Sequence, residues 1–175
     1  MIVLDANPDV ASKGKLFKAA WAERYAGVID YRPNHKLSDV DMRTNTLKFD
    51  FNDDVKADVL NVIPPMGAGN IARTAGLTTV DNRWCEVNFL TFKSLAHPKV
   101  HVLGDAIQGA PSMPKSGHMA NQHGKTCAAA VVAMLTGQEV PSDPVYANTC
   151  YSYVSADVVV HVASVHPTTQ RRKPC

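Results

Sequence analysis

Val100-His-Val-Leu-Gly-Asp-Ala106, continuing through Met113-Pro-Lys-Ser-Gly117 into a proline-free run that ends at Thr136, is the stretch on which the fold turns. Apolar Val100 to Leu103 predicts a strand, and Gly104-Asp105-Ala106 the turn that ends it. A long helix is predicted over 117–136, with Ser116 as its cap and Gly137 as its stop. The tail of that helix, Cys127 to Leu135, is apolar nearly all round, which predicts burial on every side. Gly117, Ala120 and Gly124 keep its first turns slim. A glycine at position 124 costs about 1 kcal/mol against alanine and predicts close approach by another group.

A strand, a glycine turn and a helix in this order serve one kind of chemistry. Glycine lets backbone approach a ligand, the Asp105 carboxylate can accept hydrogen bonds from sugar hydroxyls, and the helix start offers unpaired amides and a positive dipole to an electron-rich oxygen. A flavin presents both partners, a ribityl chain and an electron-rich pyrimidine edge.

Working outward, Ile2-Val-Leu4 reads as a buried strand ending at Asp5, and Lys13 to Ala26 as a helix. Val28 to Ile63 reads as a small meander that returns to a buried strand at Val59 to Ile63. A parallel strand opening at residue 2 needs a neighbour and a crossover, so the chain is expected to begin inside a domain. Asp5 stands where a dinucleotide-binding unit places its ribose acid, but the matching glycine-rich turn is expected upstream of Met1. Gly67-Ala-Gly-Asn-Ile-Ala72 imitates that turn. Pro64-Pro65 interrupts the strand-to-helix corner it requires, so a linker leading to a short helix over 68–74, stopped by Gly76, is the expectation.

Composition narrows the classes. Of the 175 residues 45% are hydrophobic, and 18 Lys+Arg face 16 Asp+Glu, for a net charge of +2. So even a balance argues against nucleic acid or an anionic membrane surface as partner. The Arg171-Arg172-Lys173 cluster reads as a solvated tail. No run reaches the ~20 apolar residues of a membrane span, and no export signal opens the sequence. Cys85, Cys127, Cys150 and Cys175 lack any CxxC spacing, which leaves no zinc or disulfide framework. His118 and His123 stand a five-residue step apart, or ~140° around a helix, so with Cys127 they do not make a metal site.

Taken in order, Lys56-Ala-Asp58, Asn61-Val-Ile-Pro-Pro65, Ala75-Gly-Leu77, Trp84-Cys85, Val102-Leu-Gly-Asp-Ala106, Met113-Pro-Lys-Ser-Gly117, Ala120-Asn121 and Asn148-Thr-Cys-Tyr-Ser152 resemble the flavoprotein subunit of flavocytochrome c sulfide dehydrogenase. The resemblance implies an α/β fold of two Rossmann-like, FAD- and NAD(P)-binding domains, truncated at the N-terminus. It divides the chain into 1–62, the rear of the NADH-like domain; 63–83, a linker and short helix; 84–136, the returning part of the FAD domain; and 137–175, the start of a cytochrome-facing region. After Asp157 the sequence is expected to leave the family as a divergent tail.

The same resemblance implies the site. FAD is the cofactor of the full-length parent, with Gly104, Asp105 and Ala106 at its ribityl chain, Ser116, Gly117 and His118 at its pyrimidine edge, and Pro64 and Pro65 near the isoalloxazine. Cys85 matches a redox-active cysteine whose partner is expected upstream of Met1. Sulfide is the implied substrate, a c-type cytochrome the implied electron acceptor and partner, and the periplasm the family's compartment. The chain by itself is expected to be inactive. The alternatives are a cofactor-free remnant or interaction protein, possible as a homo-oligomer through its exposed sheet edge, and a sulfide:quinone or NAD(P)H flavoprotein reductase.

Overall fold

The computed structural model describes residues 1–167, and the basic cluster at 171–173 and Cys175 lie outside them. Two compact units are present, one made of Met1–Pro64 with Tyr151–His161, the other of Pro65–Cys150 with the chain from Val162.

In the first unit, β1 (Ile2–Leu4) and β2 (Asp30–Arg32) pair in parallel, joined through α1 (Gly14–Arg24). This is the crossover that a parallel pair needs. Trp21 carries α1 onto the pair, with its ring 5.9 Å from Phe17 and 5.6 Å from Tyr31. The meander follows as an antiparallel sheet in the order β3 (Leu37–Asp41), β4 (Thr46–Phe49), β5 (Val55–Lys56). The strand expected at Val59 to Ile63 does not form. Both ends of that run are more than four-fifths exposed, because it pairs with no strand among the described residues and an unpaired apolar segment gains nothing from extension. Asp5 does end β1, but its two carboxylate oxygens are occupied by the Asn7 amides and the Tyr31 hydroxyl. That backbone bond from Asn7 holds the Asp5 carboxyl below its usual range, and burial with the Asp5 contact pushes Tyr31 up to about 12.

The second unit opens with α2 (Asn70–Thr74), stopped at Gly76 with φ 68° as expected. Antiparallel β6 (Thr78–Val80) and β7 (Trp84–Cys85) follow. Val100 to Leu103 is extended but is not a regular strand. It makes one isolated bridge, His101 to Lys93, flanked by hydrogen bonds from the Val102 amide to the Phe92 carbonyl and from the Ser94 amide to the Val100 carbonyl, too little for a ladder. Gly104–Ala106 form a single 3-10 turn, and α3 runs over Gly117–Thr136. β8 (Val145–Tyr153) and β9 (Val159–Pro167) pair in a two-stranded sheet.

Both ends of α3 are as predicted: Ser116 Oγ accepts the Met119 amide at 3.1 Å, and Gly137 adopts φ 68°. Its burial is not. Met119, His123, Cys127, Ala130 and Ala133 are buried at steps of four, four, three and three, which is one stripe of a 3.6-residue helix. Val132 and Leu135 face outward. Nor, among the described residues, does anything approach Gly124, where an added Cβ would meet nothing within 4 Å. The close approach is at Gly104, φ 69°, where a Cβ would lie 3.3 Å from the Ala120 methyl, so the slim side of α3 faces the turn.

The buried stripe packs into a cluster of Val87, Phe92, Ile107, Met119, Cys127 and Tyr146, beside a smaller one of Ala68, Ala72, Leu77 and Cys85; Val102 touches both. The Ser116 cap is also bonded to Asn148 at 2.6 Å. Ser116→Ala is therefore expected to lower unfolding free energy by about 1–2 kcal/mol, read by urea denaturation. A loss under about 0.3 kcal/mol would contradict this role for the cap.

Candidate functional site

The 3-10 turn is held from three sides. Cys85 meets Ile107 in a parallel bridge, and its carbonyl accepts the Gln108 amide at 2.8 Å. Lys115 Nζ, two residues before the first residue of α3, donates to the Asp105 carbonyl at 2.8 Å and the Ile107 carbonyl at 2.6 Å. The same ammonium stands 3.8 Å from the centre of the Trp84 ring. Burial of this cation pushes its pKa down, against the pull of Asp105. From α3, His123 Nδ1 accepts the Gly104 amide at 3.3 Å.

Held in this way, the turn keeps the Asp105 carboxylate exposed, and among the described residues it accepts no hydrogen bond. Gly117 and His118 open α3 on the exposed side, where a Cβ on Gly117 would meet nothing within 4 Å. Their amides lack intrahelical acceptors, as first-turn donors do. A carboxylate free to accept from hydroxyls and open amides at a helix start fit a flavin's ribityl chain and pyrimidine edge.

β8 is clamped to the start of α3. Gln122 exchanges hydrogen bonds with the amide and carbonyl of Ala147, the Thr149 amide donates to His118 Nδ1 at 3.3 Å, and Asn148, buried, bonds Ser116 and the Cys150 sulfur at 3.1 Å. His118 is thus exposed and tied to β8, while His123 is buried on another face. Among the described residues no group of three or more His, Cys, Asp or Glu could hold a metal ion.

The sequence-predicted residues fall into two sets. Cys85, Gly104, Asp105, Ala106 and Ser116 to His118 are gathered around one turn and one helix start. Pro64 and Pro65 are exposed, Pro64 closing the first unit and Pro65 opening the second. Cys85 has no exposed surface, and burial among Ala68, Ala72 and Leu77 pushes its thiol up, away from the thiolate. Sequence reasoning missed Lys115, Trp84, Gln122, His123 and Asn148 as parts of this site. Lys115 lay inside a quoted motif, but its role stayed hidden because its acceptors are backbone carbonyls. Asn148 lay inside a quoted motif, but its partner is 32 residues away.

Two descriptions of one family match the sequence. The central part of the flavoprotein chain of sulfide dehydrogenase (flavocytochrome c) matches residues 1–64, and the flavin-binding part of flavocytochrome c sulphide dehydrogenase matches residues 142–174. The second match runs well past Asp157, so the departure from the family expected there is corrected. β9 lies within it. Among solved structures, a chain of the Tetrahymena thermophila mitochondrial ATP synthase assembly superposes with TM-score 0.72 at 19% identity, over 94% of this chain and 40% of that one. The sulfide:quinone oxidoreductase of Aquifex aeolicus gives 0.67 at 15% identity, over 94% and 45%. At these identities the likeness is one of fold, and the chain spans less than half of either. No helix among the described residues is long and apolar enough to cross a membrane. The fold is that of part of an α/β, Rossmann-like, FAD- and NAD(P)-binding flavoprotein, and the chain belongs to the family of FAD-dependent oxidoreductases formed by the flavoprotein chain of flavocytochrome c sulfide dehydrogenase.

Proposed function

We propose that this chain is part of an enzyme that oxidises sulfide and passes the electrons through FAD to a c-type cytochrome. The observation that carries the reading is the turn at Gly104 to Ala106, pinned by Lys115 beside the open start of α3. Asp105 accepts from the ribityl hydroxyls, the backbone of Gly104 and Ala106 lies along the chain they belong to, and the amides from Ser116 to His118 face the pyrimidine edge. Pro64 and Pro65 are assigned to the isoalloxazine by the family resemblance alone. FAD, when bound, supplies the two-electron acceptor that no side chain here provides.

Cys85 is the redox cysteine in this reading, supported by its family resemblance and by its place against the turn. Its burial favours the thiol, so reagent must displace the Ala68 and Leu77 cover to reach the sulfur. A thiolate is the reactive form.

The test is titration of the chain with FAD, followed by quenching of flavin fluorescence. Saturable micromolar binding is expected, and Asp105→Ala is expected to weaken it roughly 10- to 100-fold, the loss of charged hydrogen bonds of about 1.5–3 kcal/mol. Equal binding by wild type and variant would remove Asp105 from the site. No binding by either would remove the site from this chain.

A further inference from the structure

His123 is an imidazole in an apolar setting. Its ring centre lies 4.7 Å from that of Phe92 and 5.1 Å from that of Tyr146, edge-on to the latter, and only 2% of the residue is exposed. An apolar residue here would avoid the cost of burying two ring nitrogens. Among the described residues Nε2 has no hydrogen-bond partner, and the ring's one hydrogen bond is from the Gly104 amide to Nδ1. That contact reaches the residue before Asp105.

We propose that His123 is the positioning residue of the Gly104-Asp105 turn. Its neutral Nδ1 takes the Gly104 amide and so sets the direction in which the Asp105 carboxylate faces the flavin's sugar chain. The inference rests on reading that turn as the flavin site. The amide can only donate, so the bond requires the tautomer with the proton on Nε2. The rings of Phe92 and Tyr146, the latter from β8, pack on the imidazole, and the charges that act on it are Asp105 from the turn and Lys115 from the loop before α3. Of these Asp105 favours the imidazolium and Lys115 opposes it, while burial, the largest influence, keeps the ring neutral and brings its pKa down to about 4. Protonation at Nδ1 would set two donors against each other and release the turn.

The experiment is nuclear magnetic resonance of the full chain with 15N-labelled histidine and backbone, beside FAD titration. At pH 7 the His123 ring is expected to carry its proton on Nε2, and the Gly104 amide to exchange slowly. In His123→Leu that exchange should rise at least roughly fivefold, the loss of one net hydrogen bond of about 1 kcal/mol. His123→Asn, whose carbonyl oxygen can stand near the place of Nδ1, should restore protection and FAD affinity together. Protonation of Nδ1 at pH 7, or unchanged Gly104 exchange in the folded leucine variant, would overturn the proposal. If the leucine variant does not fold, failure of asparagine to protect Gly104 would overturn it. Intact protection in a wild type that binds no FAD would instead refute the flavin reading, and with it the clause on Asp105, while the hold on Gly104 stands.

Discussion

Phe92→Ala is expected to cost about 3–5 kcal/mol of unfolding free energy, as burial loss and a residual cavity add. Phe92 is fully buried, and its ring meets Phe89, His123 and Tyr146 at centroid distances of 6.3, 4.7 and 6.1 Å. Two segments distant in sequence, α3 and β8, thus converge on one side chain. Removing it also loosens the ring that supports His123 and the one whose hydroxyl bonds the Phe89 carbonyl at 2.9 Å. Phe92 holds φ 56°, the left-handed region. A bulky residue rarely adopts it, at a cost on the order of 1–2 kcal/mol that packing must overcome. Alanine keeps most of that strain whereas glycine relieves it, so Phe92→Gly should be about 1 kcal/mol less destabilising than Phe92→Ala. Urea denaturation of both variants reads the difference. A Phe92→Ala cost below about 1 kcal/mol would mean that the ring does not centre the core.

Stability is expected to fall by on the order of 3 kcal/mol as pH drops from about 6.5 to about 4. His123 takes up a proton near 6.5 when unfolded but only at about 4 when folded. Between those values the unfolded chain binds more protons, so stability rises with pH and is lost on acidification. The carboxylates whose pKa values are held low, Asp5 and Asp41 among them, titrate from 3.8 downward, and so act in a separate and more acidic window. Chemical unfolding at half-unit steps in pH should show a slope approaching 1.4 kcal/mol per unit across the histidine window. That slope should vanish in His123→Asn. If it persists there, another group carries it.

The two predictions share residues that sequence reading placed unevenly. The ends of α3 were legible because cap chemistry is local: a serine before the first turn and a glycine after the last need no distant partner. α1, the β1 strand and the stop at Gly76 were legible for similar reasons. The turn at Gly104 to Ala106 was legible because a glycine after an apolar run can take the positive φ that ends it. Val59 to Ile63 misled because apolar, β-branched residues announce a strand only where another strand accepts them. The apolar tail of α3 misled in the opposite way, since composition says what can be buried and not which side finds a neighbour.

His123 and Lys115 show why the rest of the site was hidden. Each acts on backbone groups, a Gly104 amide 19 residues away and carbonyls 8 and 10 residues away, and backbone acceptors leave no mark in sequence. By itself the sequence determined the helix limits, the turn, the family and the residues with chemistry to offer, because those depend on neighbours within a few positions or on motif order. Only the tertiary structure decided which stripe of α3 is buried, that Cys85 is enclosed, that Ala120 rather than Gly124 meets the turn, and that His123 holds Gly104. Those outcomes depend on contacts between segments far apart in the chain, where packing and hydrogen bonding select one arrangement among many that local preference allows.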